Sequence, residues 1–173
     1  SRLFGIWNFK ISGNQLLAAC NELNSAEESL IAISNPAGRL DIHSFQNLNP
    51  AAHYETGLIY TGKDFNNSFF QNSDIAVVIA GQIANMPQLI AHFNEGAAVS
   101  PAQMIALLYQ KFGTSVFENT NGGWAIAIAD FKNQKLILAR DRFGVKPLLY
   151  ISRKGEFAFA SIAKPLLALP DVK

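Results

Sequence analysis

Leu138-Ala139-Arg140-Asp141-Arg142-Phe143-Gly144-Val145-Lys146-Pro147-Leu148-Leu149-Tyr150 is the stretch on which the reading of this chain turns. An apolar run ends at Ala139, a charged turn containing Gly144 follows, and a second apolar run starts behind Pro147. Proline fixes φ and has no N–H to give to a ladder, so it suits the start of a strand and not its middle. The string therefore predicts two strands joined by a tight, charged connection.

Working outward, Gly123 to Asp130 alternates small and large apolar residues, Phe131-Lys132-Asn133-Gln134 reads as a turn, and Lys135 to Ala139 returns as its partner. Downstream, Pro147 to Ser152 and Glu156 to Ala160 read as a hairpin across Arg153-Lys154-Gly155, and Ser161 to Leu169 as a short closing helix. Asp74 to Ala80 is a β-branched, apolar run with the character of a fully buried strand. Leu3 to Phe9 predicts a strand at the amino end, Ser29 to Ser34 and Arg39 to Phe45 a pair turning at Asn35-Pro36-Ala37-Gly38, and Thr56 to Thr61 one more. Helical spacing appears at residues 13–23 behind Ser12, from Asn85 to Phe93, and from Ser100 to Lys111 with Pro101 in its first turn. Lys63 to Asn72 carries no clear period.

About nine strands with helices in blocks predict an α+β fold of two antiparallel sheets with helices outside, as one domain over residues 1–173. With 49% hydrophobic and 16% charged residues, the chain is not a disordered tail. A net charge of +1 implies no general polyanion-binding surface and leaves room for local patches, and no basic stripe points to nucleic acid. The single cysteine, Cys20, permits no intrachain disulfide, and a cytoplasmic location is expected. No run approaches the ~20 apolar residues of a membrane span, and no secretory leader is expected.

The 138–150 string resembles the carboxyl part of the glutamine amidotransferase domain of asparagine synthetases, a class II amidotransferase of the N-terminal-nucleophile fold. Other pieces follow in the family's order. Gly122-Gly123-Trp124-Ala125-Ile126-Ala127-Ile128-Ala129-Asp130 is similar to its G-x-F-A-F-A-x-x-D strand, and Phe157-Ala158-Phe159-Ala160-Ser161-Ile162-Ala163-Lys164 to its F-A-S-E-x-K segment, with Ile162 in place of Glu. Gly81-Gln82-Ile83-Ala84-Asn85 resembles its G-E-I-Y-N turn, and Ser1-Arg2-Leu3-Phe4-Gly5-Ile6 its opening C-G-I-x-G-I strand; residues 24–73 have no match.

The resemblance implies a four-layer αββα sandwich, two antiparallel sheets between helix layers. It also implies a mechanism in which a leading Cys attacks the glutamine amide and its own α-amine serves as base, since an α-amine titrates near pH ~8. On that pattern Ser1 holds the nucleophile position, Gly81 and Asn85 belong to the substrate-binding turn, and Arg140, Asp141 and Lys146 face a partner domain. That partner is an ATP-dependent synthetase domain, joined in cis or in trans, for which ATP and magnesium are implied; no cofactor and no metal are expected in this domain. Neither nucleic acid nor membrane is an expected partner; a small carboxylate or peptide is the expected substrate of the partner domain.

The departures from the pattern bear on activity. Ser1 replaces Cys, Ala80 stands where the family has its oxyanion Asn, and Gln82 replaces the acid of the turn. Ser100-Pro101-Ala102-Gln103 aligns with S-D-T-E, so Pro101 replaces the Asp that holds the substrate α-amine. The R-H-R-G-P-D loop has no counterpart, and Lys63 is the nearest cation to the missing substrate Arg, without its bidentate fork. The expectation is a catalytically degenerate glutaminase domain, as in β-lactam synthetases and lasso-peptide cyclases, serving as structural partner of the amide-forming domain. The rival expectations are an active amidohydrolase using Ser1, a Cys-to-Ser variant of an active asparagine synthetase, and a stand-alone binding module.

Other residue types favour ordinary roles. Arg140 and Asp141 also suit a local ion pair holding the turn. His43, His53 and His92 lack metal-site spacing, and Thr61-Gly62-Lys63-Asp64 lacks the upstream glycine of a phosphate loop. Cys20 falls on the apolar face of its helix, and Phe65, Phe69 and Phe70 suit packing.

Overall fold

Arg2–Trp7 (β1) owes its place to a run of apolar residues with no charge after Arg2: Leu3, Phe4 and Ile6 are wholly buried, on both faces of the strand. The computed structural model describes residues 1–7, 9–23, 29–34, 40–44, 49, 51–54, 56–62, 64–93, 100–153 and 155–172. The chain divides into two compact units, Ser1–Lys63 with Pro147–Lys173, and Asp64–Lys146.

In the first unit β1 lies inside a six-stranded sheet with Ser29–Ser34 (β3), Leu40–Ser44 (β4), Gly57–Thr61 (β6), Leu149–Arg153 (β11) and Glu156–Ala160 (β12). The order is β11-β12-β1-β6-β3-β4, and every pairing is antiparallel. Ile11–Ser12 (β2) and His53–Tyr54 (β5) form a separate two-stranded ladder. Gly13–Asn21 (α1) begins where Ser12 accepts from the Gln15 backbone N–H while the Gln15 side chain takes the Ser12 N–H, a capping box. Phe4 and Ile6 of β1 pack with Phe9, Leu16, Ala19, Cys20 and Leu166 in one apolar core. Burial pushes the Cys20 thiol up to about 12. Its reaction with a disulfide reagent at pH 8 is therefore expected to run roughly 1,000-fold slower in the native protein than for a free thiol. Complete labelling within minutes, followed by absorbance without denaturant, would contradict this placement.

The second unit carries a four-stranded antiparallel sheet of Phe69–Gln71 (β7), Ile75–Ile83 (β8), Gly122–Asp130 (β9) and Lys135–Arg140 (β10), in the order β10-β9-β8-β7. The alternation read in β9 has a direct structural use. Trp124, Ile126 and Ile128 join Ile75, Val77 and Ile79 of β8 in a core with Ala102, Met104, Ile105 and Leu108 of Pro101–Phe112 (α4). The intervening Ala125, Ala127 and Ala129 are fully buried on the opposite face. Ser100 caps α4, accepting from the Gln103 N–H at 3.2 Å, and Pro101 sits where its missing N–H has no consequence. Asp130 ends β9 and closes the turn: its carboxylate accepts from the Asn133 backbone N–H, the Asn133 amide and the Tyr109 hydroxyl.

The remaining elements are Phe65–Ser68 (α2), Met86–Phe93 (α3), Lys164–Leu167 (α5) and a 3-10 helix at Gly113–Asn119. Three differ from the sequence expectation. Lys63 to Asn72 holds α2 and β7, each too short to show a period; Lys63 itself lies outside the described residues. The 3-10 helix extends from α4 without a hydrophobic repeat of its own. The closing helix spans only four residues, because Ser161 is used to prolong the β1–β12 pairing: its N–H donates to the Leu3 carbonyl at 2.9 Å and its hydroxyl accepts from the Leu3 N–H at 3.1 Å. The turn expected at residues 35–38 lies outside the described residues.

Candidate functional site

Gly81 lies in β8 opposite Trp124 of β9, with φ at +102°. That conformation is reserved for residues without a side chain. A Cβ there would collide with the Gly123 carbonyl oxygen and lie 3.0 Å from Lys146 Cγ and from Trp124 Cα. Lys146 is thus laid against Gly81, and the pair meets because of Asp141.

Asp141 follows β10 and is 3% exposed. Its Oδ1 accepts from the N–H groups of Phe143 (3.0 Å) and Val145 (3.1 Å), and its Oδ2 from those of Trp124 (3.2 Å) and Lys146 (3.2 Å). The Asp141 N–H donates in turn to the Trp124 carbonyl at 2.9 Å, and the Gly144 N–H to the Asp141 carbonyl at 3.1 Å. One carboxylate therefore gathers the backbone of residues 142–146 and fastens it to β9. Burial alone would push this carboxyl up; the backbone N–H bonds from Val145, Lys146, Phe143 and Trp124 outweigh it and hold the group below the usual carboxylate range. The local Arg140–Asp141 ion pair is not formed. Successive turn N–H groups converge on the carboxylate and leave no oxygen for a guanidinium, an arrangement typical of Asp opening a turn. Arg140 instead rests against Gly144, where a Cβ would lie 3.5 Å from Nη1.

The knot has an outward consequence. Phe143 is 88% exposed and Val145 62% exposed, on a stretch of backbone whose position is fixed. Sequence reasoning assigned charges to this turn and passed over these two apolar residues; the signal available was an aromatic placed between charges.

Asn85 belongs to the turn after β8. Its amide donates to the Asn119 carbonyl at 2.7 Å and accepts from the Asn121 N–H at 2.8 Å, while the Ala84 N–H donates to the Asn121 carbonyl at 2.8 Å. Both ends of the side chain thus hold the turn that leads into β9. Ala80, one residue before Gly81, is fully buried and paired with Ala125. Gln82 is exposed. Ser1 belongs to the other unit, exposed at the foot of β1, and a Cβ on Gly62 would come within 3.0 Å of its Cβ and 2.5 Å of the Tyr60 hydroxyl. Gly81, Asp141 and Lys146 are therefore drawn into one cluster, with Asn85 on the adjoining turn and Arg140 against Gly144 of the same loop, unpaired with Asp141.

The strand orders define an antiparallel two-sheet α+β fold, and solved structures carry the same one. The glutamine phosphoribosylpyrophosphate amidotransferase of Bacillus subtilis superimposes with a TM-score of 0.75 at 17% identity, over 96% of this chain and 43% of that one. Among curated sequences, asparagine synthetase [glutamine-hydrolyzing] 2 of Bacillus subtilis is 38% identical over 105 residues, 58% of this chain, and asparagine synthetase [glutamine-hydrolyzing] 3 of the same organism is 29% identical over 108. This chain spans 14% and 18% of the lengths of those two relatives. A family profile described as "Glutamine amidotransferase domain" matches residues 62–168, well over half of the chain. The chain belongs to the glutamine amidotransferase domain family, in the form found in asparagine synthetase-like proteins. No helix among the described residues is long and apolar enough to cross a membrane.

Proposed function

We propose that this domain no longer cleaves glutamine and serves as the structural partner of an ATP-dependent, asparagine synthetase-like amide-forming domain. The observation that carries the reading is Ala80. A buried methyl group, paired with Ala125, occupies the position that the family resemblance gives to a side-chain amide donor. Removal of one oxyanion donor costs roughly 100–1,000-fold in rate. Pro101, locked into the first turn of α4, offers nothing to a substrate ammonium, which adds a second deficit.

The partner role is supported by the 141–146 loop. A rigid turn that exposes Phe143 and Val145 between Arg142 and Lys146 has the composition of an interaction surface, apolar anchors within a charged rim. The greater length of the curated relatives supports a partner in the same chain. In this reading ATP and magnesium serve the amide-forming domain, supplying carboxylate activation there, and the residues of this chain take no part in holding them. A cytoplasmic location goes with that chemistry.

Ammonia release from glutamine tests the proposal. The 173-residue chain is expected to stay at least about 1,000-fold below the ~10 per second of an ordinary enzyme. The Ser1→Cys variant is expected to do no better, because a stronger nucleophile does not replace the oxyanion donor. A saturable rate above that ceiling from the natural chain would make Ser1 a working nucleophile, and from the variant would mark an intact pocket with an exchanged nucleophile; either overturns the reading.

A further inference from the structure

β10 forms one edge of the sheet in the second unit: it pairs with β9, and no strand among the described residues lies on its other side. The direction of its backbone groups follows from the ladder. In the register that sets Arg140 opposite Ala125, Asp141 comes opposite Trp124, and its N–H donates to the Trp124 carbonyl at 2.9 Å. Backbone direction alternates along an antiparallel strand, so Ala139 and Ile137 also bond to β9, while the N–H and C=O groups of Arg140, Leu138 and Leu136 point away from it. The other side of β9 agrees: the Phe131 N–H donates to the Asp74 carbonyl at 2.9 Å, which directs Ala125, Ala127 and Ala129 to β8 and leaves Ile126 and Ile128 to β10. The outward backbone groups of Leu136, Leu138 and Arg140 have no partner among the described residues.

Sheet edges are commonly blunted by a proline, a bulge or a charge within the strand. β10 reads Lys-Leu-Ile-Leu-Ala-Arg, with its charges only at the ends, and its register with β9 runs without a bulge. Ile137 and Ala139 pack on the core beneath α4, which holds the strand in place. Both ends of β10 leave the edge clear. Asp130 bonds Asn133 and draws the 131–134 turn back to β9. Asp141 draws the following loop the same way, so that Val145 lies against Gly123 of β9 and Lys146 against Gly81 of β8. The open backbone groups of β10 are thus presented along a straight, apolar strand.

We propose that β10 pairs antiparallel with β10 of a second copy of this chain, about a two-fold axis at Leu138. That register uses every open group: Leu138 meets Leu138 of the second copy, and Leu136 meets its Arg140, each pair exchanging two N–H···O=C bonds. A slip of two residues either way would leave Leu136 or Arg140 without a partner inside the strand. The side chains fit the same register. Ile137 faces Ala139 of the second copy, and Lys135 faces its Asp141, so unlike charges meet and no like charges stand opposite. This self-complementarity is what selects a second copy over an unrelated extended segment. An isologous pair consumes both edges, so association stops at two chains. The surface is separate from the exposed Phe143 and Val145, and the pairing goes beyond the partner role argued above.

The test combines sedimentation of the 173-residue chain with hydrogen exchange read residue by residue. A monomer–dimer equilibrium with Kd about 50 µM or tighter is expected, without larger species. The amides of Leu136, Leu138 and Arg140 are expected to exchange at least about fivefold more slowly at about 500 µM than at about 1 µM, while those of Ile137 and Ala139, bonded to β9, keep one rate at both concentrations. Leu138→Pro removes an N–H that β9 does not use, and is expected to weaken association at least about tenfold in a chain whose circular dichroism shows it folded. The exchange pattern of the natural chain decides the matter even if that variant fails to fold. A monomer at about 500 µM overturns the proposal. So does a dimer whose Leu136, Leu138 and Arg140 amides exchange as fast as in the monomer, which would pair through another face. Slow exchange of the three at monomer mass, the mark of an edge covered by its own chain, overturns it as well, as does undiminished association of folded Leu138→Pro.

Discussion

Replacing Gly81 by alanine is expected to lower folding stability by about 4 kcal/mol, the sum of a disallowed backbone conformation and a steric overlap of about 1–3 kcal/mol each. The first part follows from φ at +102°. The second follows from what surrounds the missing Cβ: the Gly123 carbonyl and Trp124 Cα are backbone atoms of a strand held on both sides, by β8 and by β10, so neither has room to yield. In a chain of this size the loss corresponds to roughly 8–16 °C in Tm. Gly155 supplies the comparison. Its φ is also positive, at +81°, yet a Cβ there meets nothing within 4 Å, so Gly155→Ala should cost only about 1–2 kcal/mol. Chemical denaturation of both variants separates the two contributions. Equal losses would mean that close approach of Lys146 and β9 to Gly81 does not govern that turn. Because Lys146 moves with the turn, Gly81→Ala is also expected to disturb the exposed Phe143 and Val145, which are joined to it through one loop.

The sheets were legible because their signals are local. Alternation in β9 named its two faces before any fold was known, and the hairpins around residues 131–134 and 153–155 fell where turn residues stand. Ser12 announced its helix by chemistry that operates within three residues, and Pro101 marked the first turn of α4. Elements decided by long-range partners were not legible. Ser161 reads as the approach to a helix, but it bonds to Leu3, and only the folded sheet brings residue 3 to it. The same holds for the site. The sequence marked Gly81, Asp141 and Lys146 separately, through a resemblance, and put Asp141 beside Arg140 as an ion pair. Four N–H groups converging on a carboxylate leave no trace in residue types, since backbone donors are the same in every residue.

Asp141→Asn is expected to release the loop at residues 142–146 while leaving both sheets formed. A carboxylate is acceptor-only on both oxygens, so each can take two N–H groups. An amide has one oxygen; whichever way it is turned, two of the four backbone donors face an NH₂ group that repels them. Amide protons of Phe143, Val145, Lys146 and Trp124 should accordingly exchange with solvent at least about tenfold faster, while those of Ile126 and Ile128 keep their protection. The effect carries a pH signature. The Asp141 carboxyl is held below its ordinary value in the folded chain, so the folded state is favoured above the unfolded value of about 4 and loses that contribution as pH falls through the folded value. The natural chain should therefore be the more stable of the two at pH 7, and the gap should close as the pH is taken towards 3 and below, because the variant has no proton to gain at this position. Asp130, also held low, against its burial, by Asn133 and Tyr109, bends the acid limb of both proteins alike and cancels in the comparison. Denaturation midpoints across this range give the answer directly. A gap that stays constant with pH would mean that the loop is held by the shape of residue 141 and not by its charge, and the rigid presentation of Phe143 and Val145 would then need another cause.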